Sequence, residues 1–160
     1  MVAGTTQDLR AQTASDAAVD GLVSGLLAGV AMGIFLLTAG LAQGESLVAV
    51  LGRFTIAGRA ASPLSNVLLH LAVSAIYGIL CGLVFWLGLR RRLAGRPAAW
   101  GALPGALFGL LLWLAAEFVL IPASGSLAAS FPAWQFALAH LLFGAILGWW
   151  VLRSALGRRS

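Results

Sequence analysis

Two histidines and a glutamate stand inside stretches of this sequence that otherwise read as lipid-soluble. His70 opens "HLAVSAIYG" and His140 opens "HLLFGAILG", which share the histidine, the next leucine, an Ala-Ile pair and the final glycine. Glu117 lies in another apolar stretch, and Thr38 in yet another. An ionisable group at the centre of a bilayer costs roughly 2.5 kcal/mol or more, so each is a candidate site until a structural role accounts for it.

Several kinds of chemistry fit these residue types. Two histidines on facing helices at similar depth could ligate a haem b from opposite sides, with Arg53 and Arg59 pairing its propionates. His70, Glu117 and His140 together offer the imidazole and carboxylate donors that suit zinc, copper or iron, although no HExxH-type spacing accompanies them. The same groups could relay protons in a small transporter or channel. The remaining arrangement is structural: Thr38, His70, Glu117 and His140 hydrogen-bonded as a cluster that locks helices together. The sequence favours this last arrangement and prefers no cofactor. No phosphate-binding loop, nucleophilic triad or carboxylate pair has a supporting context, so no residue is assigned a catalytic role and a non-enzymatic function is expected.

The elements that must position these residues follow from composition. Of the 160 residues, 61% are hydrophobic and only 9% charged, and the mean hydropathy is +0.98. Soluble domains carry about 25% charged residues, so this chain belongs in a bilayer. Apolar runs extend from about Ala17 to Ala42, Leu64 to Leu89, Trp100 to Ile121 and Pro132 to Leu152. Each approaches or exceeds the roughly 20 residues that cross a hydrocarbon core. Backbone groups in lipid must be satisfied within the run, which predicts four transmembrane helices in an all-α protein. The expected organisation is a polar tail over 1–16, a single transmembrane domain over 17–153 and a basic tail over 154–160.

Small residues recur along these runs at intervals of four, which places them on one helix face. The first run carries Gly21, Gly25, Gly29 and Gly33, and the third carries Gly101, Gly105 and Gly109. The second carries Ser74, Gly78 and Gly82 behind His70, and the fourth carries Gly144 and Gly148 behind His140. Runs one and three therefore match, as do two and four. This predicts two similar helical hairpins, a tandem 2+2 repeat about an axis along the membrane normal. Such faces let helix backbones approach closely in lipid. The ridge through Gly101, Gly105 and Gly109 continues by the same step to Trp113, read as a packing residue, and to Glu117. At the rise of an ideal helix, Glu117, His70 and His140 lie roughly 6, 9 and 12 Å below the outer ends of their helices.

All ten basic residues are arginine. Arg90, Arg91, Arg92 and Arg96 crowd the loop between the second and third runs, and Arg153, Arg158 and Arg159 the C-terminus. The positive-inside rule places that loop and both termini in the cytoplasm, despite Arg53 and Arg59 in the first outer loop. Trp86, Trp100, Trp134, Trp149 and Trp150 fall near the ends of runs, as an interfacial belt requires. The net charge of +5 is thus a topology signal with some attraction to anionic lipid, not a nucleic-acid surface. The first run is too long for a secretory signal, lacks a positive flank, and is expected to remain as an anchor. Cys81 is alone and reads as a small buried apolar residue. The first outer loop contains "SLVAVLGRFTIAG", which predicts a short interfacial helix capped by Ser46, or a re-entrant segment.

These observations predict a small inner-membrane protein in contact with the lipid bilayer. Its expected role is that of an accessory or scaffold subunit, joined through its glycine faces to itself or to a larger membrane complex.

Overall fold

The computed structural model of the chain describes residues 13–55, 62–89, 91–93 and 96–157, and among these it is all-helical. Arg59, Arg90, Arg158, Arg159 and residues 1–12 of the polar tail lie outside the described residues. Four helical stretches are long and apolar enough to cross a membrane: Ala14–Ala42, Pro63–Leu89, Ala98–Ser124 and Ala133–Leu156.

Helix α1 (Ala14–Ala42) begins ahead of Ala17 because Thr13 and Asp16 close a capping box. The Asp16 N–H donates to the Thr13 hydroxyl at 3.1 Å, and the Thr13 N–H donates to the Asp16 carboxylate at 2.9 Å. Two otherwise orphaned donors are satisfied this way. The helix ends at Gly44, whose φ of +83° is left-handed, and the Glu45 N–H turns back to the Gly40 carbonyl at 3.1 Å.

Helix α2 (Leu47–Gly52) starts on Ser46, whose hydroxyl accepts the Ala49 N–H at 3.2 Å. It is docked on the bundle. Val50 is fully buried and presses on Gly40, where a Cβ would collide with its side chain. Asn66 holds the other side of α2, donating its side-chain amide to the Leu51 carbonyl at 3.1 Å.

Helix α3 (Pro63–Val84) is capped by Ser62, with Pro63 in the first turn where its missing N–H is not needed. A wide π turn over Phe85–Leu89 extends it. A 3-10 turn over Ala98–Gly101 leads into α4 (Ala102–Ala115). The helix then widens into a π segment over Ala116–Leu120 before α5 (Ile121–Ser124). Pro122 explains the widening: it lacks an N–H, and its ring crowds the carbonyl four residues back, so the preceding turn opens to longer bonds. Gly125, with φ of +62°, closes this helical run. Helix α6 (Ala133–Gly157) continues past 153, so the helical domain is longer at both ends than 17–153.

Helix α1 packs on α3, α4 packs on α6, and α1 meets α6 across the middle. Helix α6 is the most enclosed of the four and α4 the most exposed. A Cβ on Gly21 would strike the Gly78 carbonyl, and one on Gly25 the Ser74 carbonyl. In the second hairpin a Cβ on Gly101 would strike the Gly148 carbonyl, and one on Gly105 the Gly144 carbonyl. Gly29 faces the Ser74 side chain, Gly82 the Ala17 carbonyl, and Gly109 the His140 carbonyl. The glycine faces are therefore occupied by the neighbouring helix of the same hairpin. The outward side of α4 presents Leu103, Leu107 and Leu111, and the π segment adds Phe118, a surface as apolar as lipid tails.

Candidate functional site

Both histidines bind a backbone carbonyl, but through different nitrogens. His70, on α3, donates its Nε2–H to the Gly29 carbonyl of α1 at 2.9 Å. Gly33 lies beside that bond, and a Cβ there would stand 3.6 Å from the same nitrogen, in ordinary contact with the ring. His140, buried on α6, donates its Nδ1–H to the Phe136 carbonyl one turn back at 2.9 Å. A carbonyl oxygen only accepts, so the bonded nitrogen carries the proton and the other nitrogen of the neutral ring is a lone-pair acceptor. These acceptors are His70 Nδ1 and His140 Nε2. Neither has a hydrogen-bond partner among the described residues.

The two rings line one cavity of about 360 Å³. Its wall includes Val73 and Tyr77 of α3, Leu112 of α4, Ala116 and Leu120 of the π segment that follows, Leu36 of α1 and Phe143 of α6. Three phenylalanines link the imidazoles. Ring centroids run from His70 to Phe54 at 4.8 Å, from Phe54 to Phe131 at 5.9 Å, from Phe131 to Phe136 at 5.9 Å, and from Phe136 to His140 at 4.5 Å. The α2 end is closed by Arg53, whose guanidinium lies 5.0 Å from the Phe131 ring and pairs with Glu45 at 2.7 Å. The Ser126 hydroxyl donates to the Thr55 carbonyl at 2.7 Å, tying the connecting loops of the two hairpins together.

Thr38 and Glu117 do not join the histidines. Thr38 is exposed, and its hydroxyl donates to the Ile34 and Phe35 carbonyls of its own helix, each at 2.9 Å. Glu117 is half-buried in the π segment, outside the cavity wall, and makes no hydrogen bond or ion pair among the described residues. The step of four residues from Gly109 through Trp113 to Glu117 assumes a regular helix. The wider π turns beginning at Ala116 break that register. Among the described residues no group of three or more His, Cys, Asp or Glu is placed to hold a metal ion. The four-residue cluster and the His70/Glu117/His140 ligand set are thus both replaced by a histidine pair. A haem b would need both free nitrogens on one iron; instead phenylalanine rings bridge the imidazoles, and Arg53 already has Glu45 as its partner.

The aromatic wall is what reasoning from the sequence missed. Phe131, Phe136 and His140 are spaced by five and four residues, and Phe54 follows Arg53, but such spacing also fits lipid-facing positions. Two buried amides were also passed over. Asn66 binds Leu51, and Gln135 accepts from the Gln43 amide at 3.5 Å. Trp113 packs against the core as a half-buried residue, and its indole N–H has no partner among the described residues. No protein-family model, curated protein or solved structure matches this chain.

Proposed function

We propose that this protein is a multi-pass membrane protein that binds a small lipid-soluble molecule between its two hairpins. The cavity carries the proposal. Its volume of about 360 Å³ falls within the roughly 300–1,000 Å³ of small-molecule sites, and its wall combines apolar and aromatic surface with a few polar groups, as such sites do. Helices α3 and α4 flank it and make at most marginal contact with each other, so a ligand dissolved in the bilayer enters between them. The scaffold role expected from the glycine faces loses its support, because those faces are filled within each hairpin. The matched contacts of Gly21 with Gly78 and of Gly101 with Gly148 support a tandem repeat. The arginine distribution supports cytoplasmic termini in an inner membrane, with the cavity toward the outer leaflet.

Photolabelling with a phenyl diazirine, on protein in lipid nanodiscs, tests the binding role. Label is expected on Val73, Leu112 and Phe143 of the cavity, and Ala116→Phe, which fills the space, is expected to remove it. Labelling of outward-facing Leu103 and Leu107 serves as the reference and stays constant. Label confined to such outward positions contradicts the proposal.

A further inference from the structure

We infer that the cavity takes an aromatic molecule bearing hydroxyl donors, of the phenol or hydroquinone class. The inference rests on the binding role proposed above and adds what the ligand must present. Several donors in the cavity wall are already used by the protein. Both imidazole N–H groups go to backbone carbonyls, the Ser74 hydroxyl donates to the His70 carbonyl at 2.8 Å, and the Ser126 hydroxyl donates to the Thr55 carbonyl at 2.7 Å. One N–H of the Arg53 guanidinium goes to Glu45, while the Tyr77 and Ser124 hydroxyls, also in the wall, have no hydrogen-bond partner among the described residues. Each histidine lines the cavity and keeps one lone pair without a partner among the described residues, at His70 Nδ1 and His140 Nε2.

Electrostatics then selects the ligand. At those two nitrogens a ketone, ester or quinone would set its own lone pairs against theirs, whereas a hydroxyl donates to them and pairs them. An acyl chain would fill the apolar wall and satisfy neither nitrogen. Shape adds the ring: Phe54, Phe131, Phe136 and Tyr77 give the cavity aromatic faces and edges, which pair with another ring in offset or edge-on geometry. An apolar cavity of about 150 Å³ holds a benzene, so about 360 Å³ accommodates a ring with several substituents. Tyr77, whose phenol both donates and accepts, can serve a second hydroxyl of the same ligand.

The test uses trimethylhydroquinone, its monomethyl ether and its dimethyl ether, which share one ring and differ in donor number. Each competes anaerobically with the phenyl diazirine for the cavity of the full chain in nanodiscs, at matched bilayer concentrations. The hydroquinone is expected to displace the label at about a tenfold lower concentration than the dimethyl ether, with the monoether between them. His70→Phe and His140→Phe are each expected to narrow that gap. Equal displacement by all three compounds overturns the donor requirement and leaves the cavity's binding role standing. Absence of diazirine label in the cavity overturns the binding role itself. The three compounds on unaltered protein decide the matter even where a histidine variant fails to fold.

Discussion

In the first hairpin the histidine ring crosses to the neighbouring helix; in the second it folds back on its own. The crossings themselves correspond, with Gly21 and Gly25 against Gly78 and Ser74 in one, and Gly101 and Gly105 against Gly148 and Gly144 in the other. The divergence begins four residues beyond Gly29 and Gly109. Gly33 stands there in α1 and leaves space beside His70, whereas Trp113 stands there in α4. His70 consequently donates from Nε2 across the hairpin, and His140 donates from Nδ1 within α6. A helix crossing fixed by glycine backbones thus tolerates two imidazole orientations, and the orientation decides which nitrogen is left for the cavity.

The comparison breaks most readily at the shared crossings. Gly25→Leu and Gly105→Leu drive a side chain into the backbone of the facing helix, and each is expected to lose about 3 kcal/mol. Thermal unfolding followed by circular dichroism checks this, and a hairpin that tolerates its leucine would show that the two crossings are not equivalent. Gly33→Trp tests the divergence. It gives α1 the residue found in α4, displaces His70 from Gly29, and costs about 2 kcal/mol; an unchanged His70 proton position in nitrogen NMR would remove Gly33 from the account.

Smaller effects sharpen the contrast. His70→Leu deletes a hydrogen bond between helices and is expected to cost about 1 kcal/mol in reversible unfolding. His140→Leu deletes a bond within one helix, so its loss is expected to be the smaller of the two; the reverse order would place the interhelical tie at the wrong histidine. Arg53→Ala removes an ion pair whose side chains are 19% and 21% exposed and a contact with Phe131. About 0.5 kcal/mol is expected there, since partly exposed pairs are screened.

The helices that can span a membrane were legible because burial in lipid demands long apolar runs, and the cap at Ser46 because few side chains can satisfy free helix N–H groups. The glycine ridges were legible as close-contact faces, but spacing says nothing about whether the facing helix belongs to the same chain. Glu117 was misplaced for a local reason: periodicity carries a regular helix forward, and Pro122, five residues on, alters the turn that contains it. The cavity was illegible because Phe54 comes from a segment far in the chain from Phe131 and Phe136, and an apolar ring in a membrane protein reads the same toward lipid as toward a ligand.

Nitrogen-15 NMR of histidine-labelled protein in nanodiscs tests most directly whether two oppositely oriented imidazoles share one ligand cavity. The account predicts a proton on Nε2 of His70 and on Nδ1 of His140, with the unprotonated nitrogen of each ring shifting when trimethylhydroquinone is added. The same protonated nitrogen in both rings, or two rings indifferent to the added compound, would contradict it.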